Sequence, residues 1–107
     1  MTVINIPTEM TFFERFESDI LSGKKIITIR DEAESHYVPG TSVEVSTYED
    51  GRWFCRLTIL KVDAVKFDEL TDFHAMQENM SLEMLKSVIQ EIYPGIEQLY
   101  VVSYQLA

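Results

Sequence analysis

Cysteine is nearly absent from this chain. Cys55 is the only one, which excludes an intrachain disulfide and any cluster of thiolate metal ligands. Histidine is scarce too, with His36 and His74 alone, and no His-Glu-x-x-His or His-x-x-Glu-His pattern is present, so a zinc site would lack ligands. Positive charge is in short supply: nine Lys and Arg against 18 Asp and Glu give a formal net charge of −9. That balance repels a phosphate backbone and argues against non-specific nucleic-acid binding, while leaving an uncharged nucleoside or free base unaffected. No apolar run approaches the ~18 residues of a membrane span, and no basic start precedes an apolar stretch as in a secretory leader. A reducing, cytoplasmic setting is expected, with no membrane partner.

What is present suits one compact unit. At 107 residues and 46% hydrophobic content, the chain can bury roughly 65% of its unfolded surface without a partner, and a monomer is expected. Without repeats, low-complexity tracts or linkers, it reads as an N-terminal segment, 1–10, followed by a single domain, 11–107.

Thr11-Phe12-Phe13-Glu14 has the form of a capping box, and Phe13, Phe16 and Ile20 recur at helical spacing, so a helix is expected from about Phe12 to Ser22 with Gly23 ending it. Ile26 to Arg30 reads as a strand with Thr28 and Arg30 on one face. Ser42 to Tyr48 and Arg52 to Val62 alternate apolar with polar residues around Glu49-Asp50-Gly51, which predicts a hairpin. Trp53, Cys55, Leu57 and Ile59 share a face there, making Cys55 a packing residue rather than a nucleophile. Thr71 and Ser81 are placed to cap two helices, one with Phe73, Met76 and Met80, the other with Leu82, Leu85, Ile89 and Ile92. Gln98 to Leu106 reads as a largely buried closing strand. The sum is an α+β fold, a small twisted or barrel-like sheet with helices on its outside or rim.

Three residue types in this pattern carry acyl-transfer chemistry. An uncharged Lys25 could accept a proton from Thr28, whose hydroxyl would be the nucleophile, and the Arg30 guanidinium would discourage Lys25 from holding its charge. The C-terminal end of the preceding helix opposes this by favouring protonated Lys24 and Lys25. Strict alternation also sets Lys25 on the opposite face from Thr28, so a bend after Gly23 is required for the two to meet. Glu78, between methionines and amides in Met76-Gln77-Glu78-Asn79-Met80, is a candidate proton donor if burial raises its pKa. His74 and Glu78 sit four apart on one helix face, but too few ligands accompany them for a metal, and His74 is expected to make a structural hydrogen bond. The acidic run Asp31-Glu32-Ala33-Glu34 reads as a solvated turn.

The stretches TFFERFESDILSGKKIITIRD (11–31), DEAESH (31–36) and HAMQENMSLEMLKSVIQEIYPG (74–95) closely resemble the bacterial N(4)-acetylcytidine amidohydrolase family, small ASCH-domain proteins with a PUA-like β-barrel. The resemblance covers nearly the whole chain after its first ten residues. It implies hydrolysis of the acetyl amide on the exocyclic amine, giving cytidine and acetate without metal or cofactor. It also implies roles: Lys25 as proton acceptor, Thr28 as nucleophile, Glu78 as proton donor. Arg30 is a candidate for holding the oxyanion or the substrate. The competing reading is an RNA-binding or regulatory PUA-like module without catalysis, in which Trp53, Phe54, Tyr48 and the C-terminal tyrosines stack bases beside Lys24, Lys25 and Arg30.

Overall fold

The computed structural model describes residues 6–107; the first five residues of the expected N-terminal segment lie outside it. Five strands make one sheet: β1 (Glu9–Phe12), β2 (Ile27–Arg30), β3 (Ser42–Thr47), β4 (Trp53–Lys66) and β5 (Gln98–Leu106). Their spatial order is β1-β3-β4-β5-β2. All neighbours pair antiparallel except β1 and β3, which run parallel. Among the described residues three α-helices accompany them, α1 (Glu17–Leu21), α2 (Asp72–Gln77) and α3 (Leu82–Ile92), with short 3-10 turns at Glu14–Phe16, Glu32–Glu34 and Phe67–Glu69. The α+β class read from the sequence is the observed one.

The chain departs from expectation at its start. Thr11 does not cap a helix; it lies in β1, opposite Ser46, because Met10 and Phe12 alternate into the core at a period of two while Glu9 and Thr11 face outward. The Glu14 N–H that Thr11 was expected to satisfy instead donates to the Glu49 carboxylate, 2.9 Å away in the β3–β4 turn. Helical backbone proper begins only at Glu17. Phe16 and Ile20 are buried as the spacing predicts, whereas Phe13 is largely exposed.

The hairpin, the two later helices and the closing strand form where expected, but the buried faces differ in part: α2 buries Ala75 and Gln77 while Phe73 and Met76 are exposed and Met80 lies beyond its end, and Trp53 and Ile92 are exposed as well. Ser81 Oγ accepts from the Met84 N–H at 3.1 Å and starts α3, whose Leu85 and Ile89 are buried. The Thr71 N–H donates to His74 Nδ1 at 3.0 Å, the structural bond expected of that histidine. Cys55 is buried in the core, and burial pushes its thiol up to about 11, so it is inert packing.

Alternate residues of the sheet feed two apolar clusters. One face carries Phe12, Phe16, Val45, Leu57, Val102 and Tyr104 among others; on the other, Leu99 meets Leu70, Ala75, Leu85 and Ile89 from the α2–α3 region. The sheet is not closed into the barrel that the sequence suggested, since β1 and β2 remain its two edges. It does curl. Phe12 on β1 packs edge-on against Tyr104 on β5, ring centroids 5.8 Å apart, and Arg30 of β2 donates to the Thr11 carbonyl of β1 at 2.8 Å. A side chain spans the seam that a backbone ladder would otherwise have closed.

Candidate active site

The turn after α1 sets up the site. Gly23 has φ of +79°, a left-handed backbone that glycine adopts without steric cost. The Lys25 N–H then donates to the Asp19 carbonyl at 2.9 Å. The chain enters β2 only at Ile27, so Lys25 lies before the strand and escapes its alternation. Its side chain turns inward and is 1% exposed.

Lys25 Nζ donates to Glu78 Oε1 at 2.8 Å and to the Gln77 carbonyl at 3.1 Å, and stands 4.7 Å from the Phe16 ring centroid. Burial holds its pKa below the usual lysine range. Glu78 opposes that shift through charge and hydrogen bond; Arg30 assists it, and Asp19 opposes it more weakly. Glu78 ends α2, directly before Asn79, which has φ of +58° and donates from Nδ2 to Asp19 Oδ2 at 2.8 Å.

Gln77 is the residue that sequence reasoning passed over. Its side chain is buried; Oε1 accepts from the Ile26 and Ile27 N–H groups at 2.7 and 3.3 Å, and Nε2 donates to the Lys24 carbonyl at 3.1 Å. It clamps the start of β2 to the end of α2, which sets Lys25 against Glu78. A buried glutamine beside a candidate acid on a short helix was the available signal, because such an amide needs partners.

Thr28 is buried on β2, with Arg30 on the same face as the alternation predicts: Arg30 Nε donates to Thr28 Oγ1 at 3.0 Å. The same guanidinium reaches the Thr11 carbonyl and the Glu34 carboxylate, 3.3 Å from NH1, and lies 5.0 Å from the Phe12 ring centroid. Glu34 stays in an exposed turn, as expected, and its carboxylate also borders the site. Thr28, Arg30, Glu34 and Glu78 together line a cavity of about 360 Å³ at the seam. Its apolar walls come from Phe12 and Phe16 on one side and from Leu85 and Ile89 of α3 on the other.

Lys25 does not line this cavity, and among the described residues no hydrogen bond joins it to Thr28. The structure therefore brings Thr28, Arg30 and Glu78 into one space and attaches Lys25 to it through Glu78. Of the aromatic residues suggested for base stacking, Tyr48 lines the cavity, Tyr104 is buried in the core, and the Trp53 indole N–H is engaged with Glu44 Oε2 at 2.6 Å. No group of three or more His, Cys, Asp or Glu among the described residues is arranged to hold a metal ion.

Known proteins match this chain closely. The ASCH domain profile matches residues 6–94. The N(4)-acetylcytidine amidohydrolase of Vibrio vulnificus is 70% identical over 99 residues, 92% of this chain and 95% of its own. The protein of that name from Shewanella baltica is 57% identical over 98 residues, 92% and 93% respectively. Among solved structures, an ASCH domain from Lactobacillus crispatus superimposes with a TM-score of 0.67 at 15% identity, over 84% of this chain and 69% of that one. A ZmASCH variant from Zymomonas mobilis gives 0.71 at 14%, over 94% and 73%.

Proposed function

We propose, from the premise that this chain belongs to the ASCH domain family and within it to the group of N(4)-acetylcytidine amidohydrolases, that it hydrolyses the acetyl amide of N(4)-acetylcytidine to cytidine and acetate. The observation that carries the reading to residues is the cavity lined by Thr28, Arg30 and Glu78, with the buried Lys25 bonded to Glu78 behind it. Its volume is at the small end of ligand sites, suited to a nucleoside rather than a polymer.

The reaction begins with Lys25 as a neutral amine and Glu78 as a neutral acid. This state differs from the ion pair only by a proton moved along the 2.8 Å bond between them, so no proton need be drawn from solvent. Burial, the largest influence on Lys25, favours it. Lys25 takes the Thr28 proton as Oγ1 adds to the acetyl carbon, and the carbonyl electron pair moves onto oxygen. Substrate binding is required to draw Lys25 and Thr28 together, as catalytic hydrogen bonds commonly tighten only in the complex. The adduct collapses, the C–N bond breaks, and Glu78 gives its proton to the departing cytosine nitrogen. Lys25 then returns a proton to Glu78. Water attacks the acetyl-threonine, one of its protons passing through Lys25 to Thr28, and acetic acid leaves, ionising to acetate and a proton in solvent. Arg30 Nε–H on Oγ1 stabilises the alkoxide character of the nucleophile throughout.

The test is acetate release from N(4)-acetylcytidine by Thr28→Ala. A loss of at least about 10³-fold is expected for a missing nucleophile, and unchanged turnover would rule the assignment out. Lys25→Arg keeps the charge but cannot deprotonate; full activity in that variant would reduce Lys25 to a binding residue.

A further inference from the structure

The acyl-transfer chemistry above needs a donor for the oxyanion. We propose that it is the backbone N–H of Ile29, the residue that follows the nucleophile on the uncovered edge of β2. The inference rests on the amidohydrolase reading and adds to it a main-chain group that no side chain reveals.

The hydrogen-bonding parity of β2 carries the argument. In an antiparallel ladder, the N–H and C=O of one residue both point toward the partner strand, and those of the next both point away. The Tyr104 N–H donates to the Ile26 carbonyl at 3.1 Å, and Thr28 and Arg30 stand opposite Val102 and Tyr100 in the same register. Within β2, residues 28 and 30 therefore address β5, and 27 and 29 turn outward; Ile26, just before the strand, addresses β5 through its carbonyl while its N–H is held by Gln77 Oε1 at 2.7 Å. Two other bonds agree. The Ile27 N–H reaches Gln77 Oε1, outside the sheet, and the Phe67 N–H donates to the Glu97 carbonyl, which commits the odd-numbered residues of β5 to β4 and leaves its even-numbered ones for β2.

Of the two outward donors on β2, Gln77 occupies the first. The second, Ile29 N–H, is directed by the same parity to the side of β2 that has no partner strand, and Ile29 is among the residues that line the cavity. The Ile29 side chain packs on the other face, against the cluster built around Leu85, Ile89 and Leu99, which fixes the orientation of its amide. An amide one peptide bond beyond a nucleophile is a stereochemically sound place for such a donor, as in the nucleophile elbow of α/β-hydrolases. Arg30 is less available as the oxyanion donor, because its Nε is on Thr28 and its terminal nitrogens are on Thr11 and Glu34.

The decisive experiment replaces the amide between Thr28 and Ile29 by an ester, using the α-hydroxy analogue of isoleucine, which deletes the N–H and keeps the side chain. The full chain can be assembled by ligation at Phe54-Cys55. Turnover of N(4)-acetylcytidine is expected to fall about 10²–10³-fold in kcat, the usual cost of one oxyanion donor, with KM and the affinity for cytidine changed by less than about threefold. A kcat within about threefold of the unmodified enzyme overturns the proposal. Ile29→Pro is the second variant: it removes the same N–H, and proline is tolerated on a strand edge whose N–H is outside the ladder. If the unmodified protein releases no acetate, the amidohydrolase reading fails instead, and the two failures are distinguishable.

Discussion

Burying a lysine is costly, and the surroundings of Lys25 show how that cost is met. Burial removes water from the Lys25 ammonium, and Glu78 offsets part of the loss at 2.8 Å. The pH dependence has a definite sign. The folded-state pKa of Lys25 lies below its unfolded value, so the unfolded chain binds more protons in the window between the two, and stability rises with pH across it. Activity depends on the one proton that the Lys25–Glu78 pair shares, so acetate release should fall at high pH as the pair loses it. Because Glu78 raises the Lys25 pKa, Glu78→Gln should move the pH dependence of stability to lower pH; denaturation across a pH series measures this, and an upward move would contradict the coupling. Tyr104 gives a contrasting prediction. Its hydroxyl is buried without a partner among the described residues, so Tyr104→Phe should stabilise the protein by about 1 kcal/mol in urea titration. Sequence pattern singled out Lys25, Thr28, Arg30 and Glu78, and the structure sets the last three around one cavity with Lys25 behind Glu78. Gln77 was not singled out, because an amide's importance depends on which N–H groups fold up against it.

At the level of elements, the site is a junction between the end of α2 and the entry to β2. Three consecutive residues make it: Gln77 holds the backbone of 24–27, Glu78 holds Lys25, and Asn79 holds Asp19. Gln77→Leu should therefore cost about 2–4 kcal/mol from several lost buried hydrogen bonds and lower kcat with it, whereas Ser81→Ala at the start of α3 should cost about 1 kcal/mol and leave catalysis alone. Chemical denaturation and acetate release, run side by side, separate the two cases. Gly23→Ala has open space for its methyl group, so its penalty of about 1 kcal/mol would be that of the left-handed backbone alone. The period of two in β3, β4 and β5 and the caps at Thr71 and Ser81 made those elements readable. The Thr11–Glu14 box was misleading because two tertiary partners, Ser46 for the strand and Glu49 for the free N–H, outcompeted a local motif worth about 1 kcal/mol.

For the molecule as a whole, the open seam between β1 and β2 is the feature that makes a cavity available. A fully laddered barrel would pair the outward N–H groups of β2 and fill the space that Thr28 faces; here Arg30 bridges the edges with its side chain and leaves that space. Arg30→Ala should thus weaken the fold and the alkoxide together, while Arg30→Lys should recover more stability than activity, since a single ammonium cannot replace a fork directed at Thr28, Thr11 and Glu34. With a net charge of −9, retention of unmodified RNA should be negligible at physiological ionic strength; a salt-dependent affinity would instead support the RNA-binding alternative. Composition, periodicity and the long matching segments determined the α+β class, most element positions and the identities of the candidate side chains, because these depend on residue type and short-range spacing. Tertiary structure decided the open sheet, the strand in place of a capped helix at Thr11, the attachment of Lys25 to Glu78 rather than to Thr28, and the place of Ile29 on an edge strand beside the cavity. Each of these is fixed by contacts between residues far apart in the chain, whose distances no local pattern encodes.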